Sequence, residues 1–242
     1  MHHGFVRAAN GTITTFDAPR AGTAEEQGTL AWSINTEGDV AGYYIDANGV
    51  YHSFVRAASG TVTTFDAPGA GTAKYQGTFA YSINTAGTIA GYYADAGLVI
   101  HGFVRAASGA ITTFDAPGAG TAGGKGTFAS SINRAGTIAG YYNDASGVYH
   151  GFVCAASGTI TTFEAPGSGA FGPVAFSINA DGAIAGYYLD ASGVYRGFVR
   201  AASGTITRFA SYTMAYGINS KGDVTGYGYG ASGVSYGFLL TR

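Results

Sequence analysis

The chain has 242 residues, of which 46% are hydrophobic and 14% aromatic, enough apolar mass for a sizeable core, so disorder is excluded. Charged residues are only 11%, against about 25% in ordinary soluble proteins, and the 41 glycines are about 17% of the chain, against about 7%. The net charge of −2 carries no run of like sign and offers no basic face to a phosphate backbone, which sets nucleic acid aside as a partner. No apolar run approaches the roughly 18 residues needed to span a bilayer, and no signal peptide opens the chain, so a membrane is set aside too.

Self-similarity organises the chain. Ile-Asn pairs place Asn35, Asn84, Asn133, Asn179 and Asn219 at spacings of 49, 49, 46 and 40. A period in the forties, rich in β-branched and aromatic residues and broken by Gly turns, reads as propeller blades rather than a helical solenoid. In chain order, residues 4–7 form a strand of type c and Thr12 to Asp17 one of type d. Blades of four strands, a to d, follow over 28–68, 77–117, 126–166 and 174–210, and the chain closes on a, b and c over 212–242. In the 77–117 blade, a is Phe79 to Asn84, b is Thr88 to Tyr93, c is Ile100 to Arg105 and d is Ile111 to Asp115. The turns between them use Asx and glycine chemistry, with Ala107-Ser108-Gly109 as a three-residue hairpin loop ending in a left-handed glycine.

The expectation is an all-β chain in one domain: a closed five-bladed β-propeller of four-stranded antiparallel blades. The N-terminal d strand would complete the last blade and close the ring, leaving no open edge. One c strand is surplus. Residues 4–7 and 236–240 compete for one position, so one is displaced, swapped with a neighbouring molecule or paired at an outer edge, and the expected state is a monomer with a strand-swapped oligomer as the alternative.

The pattern Gly-x-Ile-Ala-Gly-Tyr-Tyr, then Asp, Gly and His-Gly-Phe, at residues 87–103 and 136–152, resembles the HAF repeat of bacterial extracellular proteins, named for a His-Ala-Phe triplet. The resemblance covers essentially the whole chain. Glycine replaces the alanine of the triplet in most copies, Ser53 does so once, and Arg196 and Tyr236 replace its histidine. It implies a repeat fold and an extracellular or periplasmic location, and confers no activity.

His3, His52, His101 and His150 recur at one site in strand c, too far apart to share one ion. With the three-residue c-to-d loop they stand opposite Asp17, Asp66, Asp115 and Glu164, which predicts repeated structural histidine–carboxylate bonds. The five asparagines open Asn-x-x-Gly turns; calcium would want carboxylates, and strand a has none. That also disfavours a central glycosidase, which needs two carboxylates near the axis. Arg7, Arg56, Arg105 and Arg200 at the end of strand c are expected in solvent or on carbonyls, and Cys154, replacing one of them, as a partly exposed thiol with no base beside it. The Tyr-Tyr doublets of strand b are read as packing between blades.

Near-identical repeats disagree in the d-to-a loops and at the start of strand a. Trp32, Tyr81, Phe176 and Tyr216 vary there, with Glu25, Glu26, Lys74, Tyr75 and Lys125 in the loops and Asn143 among the neighbouring b-to-c loops. Aromatic planes beside a few charges suit a small polar ligand. The function expected is therefore a binding module, lectin-like and for carbohydrate, on that rim, with no metal or cofactor. The alternative is a hydrolase of esters, lactones or phosphoesters at the same rim, with calcium as its candidate cation; a second alternative is a structural repeat fragment. Whether the chain is an enzyme stays open.

Overall fold

The computed structural model describes residues 1–230 and 233–241; Ala231, Ser232 and Arg242 of the expected last blade lie outside the described residues. Those described are strands and turns with no helix. They cluster into two compact units, Met1–Phe114 with Ala122–Gly124 and Asp115–Thr121 with Lys125–Arg242.

The first unit holds the hairpin β1 (Gly4–Arg7) and β2 (Ile13–Phe16), then β3 (Gly28–Ile34), β4 (Val40–Ile45), β5 (Tyr51–Arg56) and β6 (Val62–Phe65), then β7 (Gly77–Ile83), β8 (Ile89–Ala94), β9 (Ile100–Arg105) and β10 (Ile111–Phe114). Each run of four pairs in chain order, antiparallel throughout, so each is one up-and-down blade. In the second unit the same order gives β11 (Gly126–Ile132), β12 (Ile138–Asn143), β13 (Tyr149–Cys154) and β14 (Ile160–Phe163), then β15 (Val174–Ile178), β16 (Ile184–Leu189), β17 (Tyr195–Arg200) and β18 (Ile206–Ser211), and finally β19 (Thr213–Ile218), β20 (Val224–Tyr229) and β21 (Ser235–Leu240). The architecture is all-β and propeller-like.

The hairpins form where glycine permits them. Gly60 and Gly109 close their c-to-d loops at φ +100° and +96°, a region that L side chains rarely adopt, and donate back to Ala57 and Ala106 at 2.8 and 2.9 Å. Gly42 of β4 is required for a different reason: a Cβ there would lie 2.1 Å from the Leu30 carbonyl oxygen and 2.9 Å from the Phe54 ring. Phe54 and Phe103, fully buried under such glycines, anchor their blades, each worth roughly 1.5–3 kcal/mol of burial. Blade then packs on blade: Val55 and Phe65 of one meet Ile83, Phe103 and Ile111 of the next. A buried threonine ties the connection between blades, since Thr78 Oγ1 accepts the Ala67 N–H at 2.9 Å, as Thr29 accepts that of Ala18.

The closed five-bladed ring is not what the strands make. β2 pairs with β1, from Gly4↔Phe16 to Arg7↔Ile13, while β19–β21 stand as a separate three-stranded sheet, so the N-terminal strand does not complete the C-terminal blade. Among the described residues four complete blades and two partial ones make about six blades. The physical reason is local: β1 and β2 are joined by a tight hairpin, so their pairing closes a few residues, whereas joining β2 to β21 would close most of the chain.

Candidate functional site

The divergent loops of the first unit converge. Glu25, Glu26, Lys74 and Tyr75 line one hollow of about 130 Å³ together with Gln27, Ile45, Gly49 and Tyr51. Its walls are held by backbone and amide bonds. Gln27 accepts the Ala24 N–H at 3.0 Å and donates to the Ala47 carbonyl at 3.1 Å, and Gln76 repeats this on Ala73 and Ala96 at 2.9 Å each. The Tyr75 N–H donates to the Gly49 carbonyl at 3.0 Å, pinning one loop to the other. Gly49 is needed here: its φ is +80°, and a Cβ would come within 2.8 Å of Lys74 Cγ. The Lys74 ammonium lies 4.9 Å from the centre of the Tyr75 ring.

Two of these residues sit in strained backbone. Glu26 and Tyr75 have φ of +62° and +69°, while the third repeat fills the equivalent position with Gly124 at +78°. Arg20, Leu98 and Tyr212 hold the same left-handed conformation at φ of +73°, +61° and +62°.

Trp32 and Tyr81 are brought together elsewhere in the first unit, 5.1 Å apart, in a stack that continues through Tyr43, Phe79 and Tyr92. Tyr81 and Tyr92 share a hydroxyl hydrogen bond of 3.0 Å, and burial pushes the Tyr81 and Tyr43 phenols above their ordinary range. Trp32 itself is exposed and lines a second hollow with Phe5 and Ile34. In the second unit Phe176 and Tyr216 lie 4.7 Å apart. Lys125 takes the place of Gln27 and Gln76 and donates to the Ala145 carbonyl, and Asn143 is buried, accepting the Gly126 N–H at 2.8 Å; both are engaged in holding loops.

The histidine reading holds in three pairs. His3, His52 and His150 bond Asp17, Asp66 and Glu164 through Nδ1 at 3.0, 2.9 and 2.5 Å. His101 and Asp115 belong to different units. Sequence reasoning missed a second carboxylate on Nε2: Asp46 lies 3.8 Å from His52, Asp95 3.7 Å from His101 and Asp144 3.5 Å from His150. The signal was an Asp six residues before each histidine, read only as a turn former. It serves both ends, because Asp46 Oδ1 also accepts the Asn48 and Val50 N–H groups. Burial pushes the Asp46 carboxyl up, but those two bonds, the Asn48 side chain and the nearby His52 together outweigh it and leave it below its usual range. Asp190 does the same beside Arg196, at 2.8 Å.

Asn35 and Asn179 act as turn formers, as expected. Cys154 corrects the sequence reading: it is buried, not partly exposed, its short side chain lying with Sγ 3.5 Å from the Ala155 carbonyl, and that burial raises its thiol. Arg56, Arg105 and Arg200 do bond carbonyls as expected, those of Ala57, Ala106 and Ala201 at 3.3, 3.4 and 3.3 Å, and Arg56 also lies 5.0 Å over the Phe16 ring. Among the described residues no group of three or more His, Cys, Asp or Glu is placed to hold a metal ion.

No family model and no curated protein matches the chain. Solved structures do. The chain is similar to a streptogramin B lyase, with a TM-score of 0.61 and 14% identity over 99% of this chain and 72% of that one. AofleA from Arthrobotrys oligospora is matched with a TM-score of 0.55 and 18% identity, covering 96% of this chain and 73% of the other. A fungal lectin from Aleuria aurantia, described as a six-bladed β-propeller with a fucose recognition mode, has a TM-score of 0.49 and 14% identity over 98% and 86%. At these identities the likeness is one of fold.

Proposed function

We propose that the chain is a binding module for a small polar ligand, a carbohydrate, held in the hollow between the Glu25–Gln27 and Lys74–Gln76 loops. The observation that carries this reading is the convergence of Glu25, Glu26, Lys74 and Tyr75 on one hollow beside Tyr51. An aromatic plane takes the C–H face of a sugar ring, while carboxylates accept from its hydroxyls and an ammonium donates to them. At about 130 Å³ the hollow seats one sugar residue at most, with the rest of a glycan in solvent. Export, which the repeat resemblance implies, suits such a role.

A glycan array followed by calorimetry on the best hit tests it. Binding should weaken roughly tenfold or more in Tyr75→Ala and in Lys74→Ala, since a charged hydrogen bond or an aromatic contact is worth about 1–3 kcal/mol. An array without a hit, or a hit indifferent to both substitutions in folded protein, would overturn the proposal. Turnover of the bound molecule would move the same site to the enzyme reading.

A further inference from the structure

The loop-on-turn contact that builds the hollow recurs on one backbone frame. In the 28–68 blade the b-to-c turn closes with the Gly49 N–H donating to the Asp46 carbonyl at 3.1 Å, and the Gly49 carbonyl accepts the Tyr75 N–H at 3.0 Å. In the next blade Leu98 closes the same turn on Asp95 at 3.0 Å and accepts the Gly124 N–H at 2.8 Å. Gln27 and Gln76 brace the two turns alike, donating to the Ala47 and Ala96 carbonyls at 3.1 and 2.9 Å. All of these residues belong to the first unit.

On that frame the side chains are exchanged. At the first contact the turn supplies glycine and the loop supplies Lys74 and Tyr75; at the second the turn supplies Leu98 and the loop supplies Gly123 and Gly124. The exchange is steric. A Cβ on Gly49 would lie 2.8 Å from Lys74 Cγ, so a side chain on the turn and a lysine on the loop compete for one space. At the second contact Leu98 has that space, and a Cβ on Gly123 would lie 3.6 Å from Leu98 Cβ and only 3.0 Å from the Gly97 carbonyl oxygen. Tyr51 of the hollow corresponds there to Ile100, and the places of Glu25 and Glu26 fall to Lys74 and Tyr75, which already line the first hollow. In the second unit Tyr149 donates to Ala170 as Tyr51 does to Gln76, both at 2.9 Å, and the turn keeps a glycine, Gly147 at φ +85°, but the loop before Ala170 reads Gly167-Ser168-Gly169.

We propose that Gly49 makes this chain monovalent: it seats the Lys74 stem and holds the hollow open, while Leu98 in its place leaves the following contact without a site. The inference rests on the carbohydrate reading above. A turn glycine is required and not sufficient, as Gly147 shows, and among the described residues its combination with a facing lysine and tyrosine occurs once. A module with a single hollow gains no avidity from a crowded glycan surface and cannot bridge two glycans, so it coats such a surface rather than cross-linking it.

Calorimetry with the best glycan-array hit should give one sugar bound per chain, and a polymer carrying many copies of that glycan should not precipitate the protein. Gly49→Leu should weaken binding roughly tenfold or more by displacing Lys74, while keeping the wild-type circular dichroism, because Leu98 shows that the turn accepts leucine. Should Gly49→Leu unfold, Gly49→Asn puts a side chain in the same space with a residue that visits the left-handed region. A stoichiometry of two or more, precipitation by the polymer, or full affinity in a folded Gly49 variant overturns this inference and leaves the carbohydrate reading standing. An array without a hit overturns both.

Discussion

Glu26 offers a substitution expected to stabilise, against the usual outcome of point changes. Its φ of +62° is left-handed, and in an L residue that conformation costs roughly 1–2 kcal/mol. Glycine removes this strain but has more unfolded-state freedom to lose, returning roughly 0.5–1 kcal/mol. Glu26 is exposed, so little packing is lost. Glu26→Gly should therefore gain roughly 0.5–1 kcal/mol, a rise of about 1–4 °C in Tm for a chain of this size, readable by calorimetry. Glu26→Ala keeps the strain and should show no rise, while both variants lose the carboxylate and bind the carbohydrate more weakly to the same degree. The reasoning fails if Glu26→Gly melts no higher than Glu26→Ala, for the strain would then not be where the backbone places it.

Two further outcomes follow from burial and charge. Phe103→Ala should lower the unfolding free energy by about 3–5 kcal/mol in urea titration, whereas Phe5→Ala, at the equivalent but exposed position, should change it by less than about 0.5 kcal/mol in dilute monomer. The Asp66 hydrogen bond raises the pKa of His52, so the pair stabilises most while the imidazole is charged, below its unfolded value near 6.5. That contribution is lost as pH rises through the folded pKa, with Arg20 nearby opposing the charge. The gap in Tm between wild type and His52→Gln should be wider near pH 6 than near pH 9, and a gap independent of pH would discount the ion pair.

Pairing within a blade was legible because it is local: alternation and Gly turns place β9 at Ile100–Arg105 to the residue, and the hairpin centre places His52 opposite Asp66. How many blades there are, and whether the ends meet, depends on packing between distant segments, which no residue type encodes; Gly4-Phe5-Val6-Arg7 reads like any inner strand c. The hollow was half legible. Loop divergence singled out Glu25, Glu26, Lys74 and Tyr75, but the same signal gathered Lys125, which holds a loop, and Trp32, which lies apart. Divergence records freedom from the repeat, and both ligand contact and a change of partner produce it.

The turn asparagines carry a consequence for how such chains arise. Asn35 spends its Oδ1 on its own turn, at the Glu37 and Asp39 N–H groups, and its Nδ2 on the Asn84 carbonyl of the following repeat at 3.2 Å; Asn133 and Asn179 reach the next asparagine's carbonyl in the same way, at 3.1 Å. These three repeats therefore bring a plug of one pattern to a socket of one pattern. A gene that gains or loses a copy by unequal recombination inherits working joints on both sides of the scar, and aspartate, lacking the amide donor, could not serve as the plug. Repeat number can thus drift by duplication while each new junction is born already fitted.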